Sequence, residues 1–470
     1  MPNCEPLFWF GLFVLCLTSG LIVVPYVRRK AELLSAWNML LVGIAVFMGF
    51  GSLEAAYSPV RFGGLDWYES TSQEVATYLL YSITFLACLL LCYYYEPISK
   101  GVAARSFNTW PPITTGCILC VLALCLVLSF AVRVQPLLRI PFVGAVVVNL
   151  SHKAFVFACV FSFILWYRQR LNAIWLGVFV SVFLAMCVLA IVASGGRRLL
   201  MSVVLVPVLV IYYYDARSWK PTKCLAAIGV AATCVLIVGI VYASFRHFDR
   251  GGDKTDRSAS AVVGSVASTN VSGAIERFTS DVLFQFGQQN AHYAMLIDHL
   301  IDTDRLESKP FNTFTFLTTY PIPRQFWRGK PVTLGRVVGT DVVPMFARNQ
   351  GVRWGCGIAG QAAYEGGLIV IPFYAILATF CVRLIDDPLR RQPTNPFLIA
   401  MLGAASFHLV AWPRGDLGVL SIEVIECFLF TFALSLGCRL IFGLDRSAIR
   451  SVGARVPGYY GPPVQKLKIE

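Results

Sequence analysis

The chain has 470 residues, of which 57% are hydrophobic and only 14% are charged. Soluble domains carry about 25% charged residues, so a soluble protein of this length would lack the charge to cover its surface. A mean hydropathy of +0.67 and repeated apolar runs of about 20 residues instead describe an all-α polytopic membrane protein. The formal net charge of +13 fits that class, because excess Lys and Arg hold loops in the cytoplasm. No nucleic-acid motif accompanies it, and no nucleic-acid partner is expected.

In chain order, eleven apolar runs read as spans: 7–25, 36–57, 76–95, 113–132, 142–165, 173–193, 199–214, 224–243, 358–384, 396–412 and 418–441. They are continuously apolar rather than alternating, which favours helices over barrel strands. No Lys or Arg precedes the first run, and Arg28-Arg29-Lys30 follows it. That order predicts a retained span with its N-terminus outside, not a cleavable leader. Loops 26–35, 96–112, 166–172, 215–223, 383–395 and the tail from Arg439 hold 19 Lys and Arg. The opposite short loops 58–75, 133–141, 194–198 and 413–417 hold 6. The bias places the first set, and the C-terminus, in the cytoplasm.

The fifteen cysteines lie mostly inside the apolar runs, where a thiol is a small hydrophobe. Cys117, Cys120 and Cys125 mimic metal spacing without a His partner, so no zinc site is expected. Only Cys4 and Cys356 fall in extracytoplasmic stretches, which leaves no disulfide framework.

The domain plan is therefore 1–243 with eight helices, 244–357 as one large extracytoplasmic loop, 358–441 with three helices, and a cytoplasmic tail, 442–470. Loops this long are usually functional or disordered. Residues 249–270, rich in Gly, Ser, Asp and Lys, read as a mobile segment and a lid. From Ile275 to Leu300 the apolar residues recur at helical spacing, predicting an amphipathic helix or pair. Pro, Gly, Arg and aromatics dominate 320–354, an irregular but ordered loop.

Outer-side charges are not explained by topology. Within 324–353 lie Arg324, Arg328, Lys330, Arg336, Arg348 and Arg353 against one acid, Asp341. Arginine's planar fork suits a pyrophosphate; the alternative is a solvated basic face on anionic lipid. Ser194-Gly195-Gly196-Arg197-Arg198 reads as an anion-binding nest or a tight turn with snorkelling arginines. Arg414-Gly415-Asp416 is a third charged outer turn, or a plain surface ion pair. In the fifth span, Lys153 costs about 2.5–3.5 kcal/mol near the bilayer centre and needs a partner; Glu423, Glu426 and His408 are the candidates. His292 in the loop helix is a conceivable proton acceptor, though a lone surface His is more often inert. There is no P-loop, HExxH or GxSxG, and no nucleotide or metal cofactor is expected.

Pro323-Arg324-Gln325-Phe326-Trp327-Arg328-Gly329-Lys330-Pro331 resembles the PR-x-(L/F)-W-x-x-KP segment of bacterial oligosaccharide repeat-unit polymerases, the O-antigen and exopolysaccharide polymerases of the Wzy type. Gly360-Gln361-Ala362-Ala363-Tyr364-Glu365-Gly366-Gly367 resembles that family's G-E-x-Y-x-x-F-G entry into the next span, with Gln361 in place of Glu and the second aromatic missing. The Gly195–Arg198 turn is similar to its outer S-R/G-G-R turn, and Arg414 with Asp416 falls where a late outer loop often carries Arg and Asp. Arg324 with Gly335, and Arg328 with Gly339, match an Arg-x10-Gly spacing of polymerase loops. The resemblance covers roughly 195–440.

The resemblance implies a GT-C-like glycosyltransferase of the bacterial inner membrane. It would move a growing glycan from a polyprenyl-pyrophosphate carrier onto another carrier-linked repeat unit, beside membrane lipids and a chain-length regulator protein. Arg324, Arg328 and Lys330 would grip the pyrophosphate, with Arg197, Arg198 and Arg414 as further anion contacts. Trp327 and Tyr364 would stack on sugars, and Glu365 or Asp416 would be the general base. An O-antigen ligase is the nearest alternative and would give His292 more weight. A lipid-linked oligosaccharide transporter or flippase should show paired repeats, and none is detectable.

Overall fold

The computed structural model describes residues 4–57, 70–95, 114–134, 136, 140, 143–191, 197–248, 283–324, 326–338 and 355–442. Among them every regular element is helical and no strand occurs. In chain order these are α1 (Cys4–Val27), α2 (Ala36–Tyr57), α3 (Ser72–Tyr95), α4 (Thr115–Ala131), α5 (Val143–Arg168), α6 (Ala173–Leu189) and α7 (Arg197–Tyr214). There follow α8 (Pro221–Phe248), α9 (Leu283–Asp302), α10 (Asn312–Thr319), α11 (Gly357–Glu365), α12 (Ile371–Arg391), α13 (Pro396–Ala411) and α14 (Leu417–Phe442).

Among the described residues, seven helices are long and apolar enough to cross a membrane: Glu5–Val27, Ala36–Tyr57, Ser72–Tyr95, Val146–Arg168, Gly367–Arg391, Pro396–Arg414 and Leu417–Phe442. Four shorter apolar helices, Thr115–Ala131, Ala173–Leu189, Arg198–Tyr214 and Pro221–Cys234, fall on the remaining apolar runs. Polar residues mark several starts. The side chains of Ser35, Thr114, Asn172 and Asn395 each accept a backbone N–H of the first turn, satisfying donors that no helix can satisfy internally.

The ninth apolar run, 358–384, is not one helix. Gly366 and Gly367 take φ of 127° and 67°, a region that glycine enters without steric cost. They end α11 and turn the chain before α12. Hydropathy cannot register this break, because glycine interrupts an apolar run without adding polarity.

The expected amphipathic helix over 275–300 is found as α9 from Leu283 onward; 275–282, like 249–270, lie outside the described residues. It is not a surface helix. Residues 290–297 are all buried, packed against α2, α3 and α11. One polar contact explains the depth. Residues Ala45–Phe50 of α2 form a π-helical segment, whose widened turn frees carbonyls from the ladder. Asn290 Nδ2 donates to Phe47 O there and to Pro413 O beyond α13, both at 3.2 Å.

α5, α7, α13 and α14 pack on one another. Contacts described below join the N-terminal halves of α5 and α14, and electrostatic effects link them to His408 in the last turn of α13 and Arg198 in the first turn of α7, so these termini share one end of the bundle. At the far end, Asp386 of α12 is buried and caps α2 from outside. Its two carboxylate oxygens accept Ala36 N at 2.7 Å and Trp37 N at 3.0 Å. Losing a buried acceptor for two backbone donors costs about 1–3 kcal/mol. Asp386→Ala is expected to lower the melting temperature in detergent by several degrees, whereas Asp387→Ala, whose nearest ionic contact is 3.8 Å from Arg383, leaves it within a degree.

Candidate functional site

The site is built on the turn between α13 and α14. Gly415 and Asp416 have φ of 110° and 63°. A Cβ on Gly415 would lie 2.8 Å from Gly357 N, so glycine is required where α11 begins against this turn. Asp416 Oδ2 accepts from Thr333 Oγ1 at 3.0 Å, which ties the far end of the 320–333 loop to the start of α14.

α11 supplies the rest of the frame. Gln361 Oε1 accepts from Leu417 N at 3.1 Å, while its Nε2 donates to Thr313 Oγ1 at 2.5 Å and to Glu365 Oε1 at 3.0 Å. A glutamine can accept and donate at once; a glutamate at 361 would set two carboxylates together. Glu365 in turn accepts Thr313 N at 2.9 Å and Thr313 Oγ1 at 2.7 Å, capping α10 from a distance. Burial pushes its carboxyl above the usual range, and the hydrogen bonds from Thr313 and Gln361 oppose that. Glu365 and Tyr364 are both 0% exposed. Glu365, expected as a general base, and Tyr364, expected to stack on a sugar, are thus both enclosed, and Glu365 hydrogen-bonds within the frame.

The Pro323–Pro331 segment folds back on itself. Phe326 N and Trp327 N donate to Pro323 O, and Lys330 N to Trp327 O. Arg324 closes the loop through Nη1 to Lys330 O and Nη2 to Pro331 O, both at 3.2 Å. Lys330 Nζ is buried against Tyr320 O at 2.7 Å and Ile322 O at 2.9 Å, and burial, then Arg324, lower its proton affinity. Lys330 is thus a loop clasp and not the free anion grip expected of it. Arg324 spends two of its five N–H donors on the same task. Arg328 is exposed, as are Phe326 and, at 38%, Trp327.

Below this loop lies the charged centre of the bundle. Lys153 of α5 is 2% exposed and pairs with Glu423 Oε2 at 2.8 Å and Glu426 Oε2 at 2.5 Å. The two glutamate side chains keep exposures of 22% and 23%, so the lysine is more deeply enclosed than its partners. Glu426 lies nine residues past the start of α14, about 14 Å at 1.5 Å per residue. Lys153 lies ten past the start of α5, about 15 Å. Asn149, one turn before Lys153, points Nδ2 at Tyr320 OH (3.3 Å) and Glu426 Oε1 (3.4 Å). Glu423 is in electrostatic reach of His152 and His408, and His408 of Arg198. His152 Nε2 and His408 Nδ1 are buried and find no hydrogen-bond partner among the described residues.

Hydrogen bonds and ion pairs thus run from Tyr320 through Asn149 and Glu426 to Lys153 and Glu423, and His408 and Arg198 add their electrostatic influence beyond Glu423. Arg197 opens α7, while 194–196, Asp341, Arg348 and Arg353 lie outside the described residues. Arg414 belongs to the turn, its side chain against Gly355. His292 is buried inside α9 at 5% exposure, not on a surface, because residues 290–297 are all enclosed. The sequence reading missed Asn149, Tyr320 and Thr313. The first was legible, since Asn149 and Lys153 share a helix face at i, i+4; the others depend on tertiary approach alone. No cluster of His, Cys, Asp or Glu among the described residues forms a metal site. No family model matches the chain, and neither a curated protein nor a solved structure matches it.

A second titratable group lies between α3 and α9, where Glu74, Tyr81 and Asp298 line a narrow cleft and His299 Nδ1 meets Glu74 Oε1 at 2.9 Å. Burial, then Asp302, then Glu74 push Asp298 up to about 6. A carboxyl raised above its unfolded value binds its proton more tightly in the folded state. Stability therefore rises as pH falls from about 6 toward 3.8, and Asp298→Asn should remove that gain, read as melting temperature against pH.

Removing one partner of a buried ion pair costs about 3–5 kcal/mol, whereas replacing all partners is far milder. Lys153→Met should strongly destabilise the protein, and adding Glu423→Gln with Glu426→Gln should restore most of the loss. A melting profile unchanged by Lys153→Met would mean that the ammonium is dispensable.

Proposed function

We propose that the chain is a glycosyltransferase of the bacterial inner membrane. It joins polyprenyl-pyrophosphate-linked oligosaccharide repeat units into a surface polysaccharide and releases polyprenyl pyrophosphate. In this reading the four shorter apolar helices also cross the membrane, giving eleven spans. The end of the bundle carrying Arg198, Asp416 and the 320–333 loop faces outward, and the tail is cytoplasmic.

The observation that carries the proposal is the polar line from an exposed Arg–Trp loop to a charged centre one third of the way down the bundle. Charge inside a span is costly and marks substrate paths. Here the ammonium is enclosed by its two carboxylates. In this reading the exposed cations Arg328 and Arg198, from separate elements, are the ones that meet the diphosphate headgroup. Trp327 offers an exposed ring to a sugar face.

The chemistry asks little of the protein. The acceptor hydroxyl oxygen bonds to the anomeric carbon of the donor. The bond from that carbon to the pyrophosphate oxygen breaks, and the pyrophosphate leaves with the electron pair. Preorganised positive charge stabilises the leaving group, and holding both lipid-anchored substrates in one orientation supplies much of the remainder. Arg324 and Lys330 contribute by fixing the loop that presents Arg328 and Trp327. Membrane lipids and a chain-length regulator protein are the further partners in this reading.

The test is the polysaccharide ladder of a deletion strain carrying the gene on a plasmid. Arg328→Ala combined with Arg198→Ala should collapse the ladder to single repeat units at normal protein levels. Long chains of normal length from that variant would contradict the proposal. Attachment of a single unit to lipid core, lost in the variant while polymer persists, would identify a ligase instead.

A further inference from the structure

Resting on that reading, we propose that Glu426 is the general base that takes the proton from the acceptor hydroxyl. The two outer-loop carboxylates named by the sequence do not serve. Glu365 is sealed under Thr313 and Gln361, and Asp416 is buried against Thr333.

Glu426 differs in three respects. Its Oε2 is anchored by Lys153 at 2.5 Å, which fixes the carboxylate in one orientation. Its Oε1 meets the Asn149 amide at 3.4 Å, and the Tyr320 hydroxyl also hydrogen-bonds the carboxylate; with two lone pairs on each oxygen, Oε1 keeps capacity to accept a proton. It also stands on the Tyr320 side of the centre, below the loop bearing Trp327, where an acceptor sugar would enter. Glu423 stands on the other side, within electrostatic reach of His152 and His408, with the Arg198 charge beyond them.

The acceptor O–H proton passes to Glu426 Oε1 as the new glycosidic bond forms and the pyrophosphate departs. The proton returns to solvent once polyprenyl pyrophosphate has left.

The experiment separates binding from chemistry. Full-length protein in nanodiscs is titrated with a C55 polyprenyl pyrophosphate, and chain growth is followed in the deletion strain. Glu426→Gln should bind the probe within threefold of the native protein while chain growth falls by about 100-fold or more, the usual range for loss of a general base. Glu426→Asp keeps the charge that Lys153 needs, so it guards against a folding defect. It should bind normally and lose growth by about tenfold or more, because the carboxylate is withdrawn by one methylene. Growth within threefold of native in either variant would overturn the base assignment and leave the glycosyltransferase reading standing. A native protein that neither binds the probe nor supports a ladder would bring down both.

Discussion

A lysine inside a membrane-spanning helix constrains everything around it. Lys153 cannot reach water from its depth, so two carboxylates one turn apart on α14 must come to it, and their approach fixes α14 against α5. Three ionisable groups in one layer cost more than they return unless each is paired and further hydrogen-bonded. Asn149 and Tyr320 supply part of that, and Tyr320 belongs to the outer loop rather than to a span. The ion pair within the apolar helices and the 320–333 loop are therefore one structure, joined by a side-chain contact.

The outer frame follows from that junction. If Tyr320 is to reach the level of Glu426, the chain before it must descend into the bundle. α10 lies against α14 so closely that a Cβ on Gly418 would come within 2.8 Å of Phe316. Glu365 caps α10, Gln361 links that cap to the first turn of α14, and Asp416 holds Thr333 on the return path. The residues that resemble polymerase motifs thus divide by task. Glu365, Gln361, Lys330 and much of Arg324 hold the frame, while Arg328 and Trp327 face outward. A motif read as one functional unit is here mostly scaffold for two exposed side chains.

What the sequence disclosed follows from what hydropathy can register. The apolar helices and the need of Lys153 for Glu423 and Glu426 were legible, because each follows from composition and from the cost of charge in hydrocarbon. The break at Gly366–Gly367 was not, since it leaves the apolar run intact. The insertion of α9 was also hidden. Its apolar spacing resembles that of a surface helix, and the burial of His292 and Asn290 depends on a π-helical segment in α2 that no local pattern announces. Tyr364 and Glu365 looked like site residues because their type and spacing matched a motif. Their burial comes from the way α11 folds under the α13–α14 turn, which is a tertiary fact.

The central claim is that the end of the bundle carrying Arg198 and the Arg328 loop receives a diphosphate. It is tested most directly by a cryo-electron microscopy map of the protein in nanodiscs with a C55 polyprenyl pyrophosphate. The account predicts phosphate density within hydrogen-bonding distance of Arg198 or Arg328, with the prenyl tail leaving between helices into the lipid. Density for the headgroup at the opposite end of the bundle, beside Asp386 and Arg217, would contradict it.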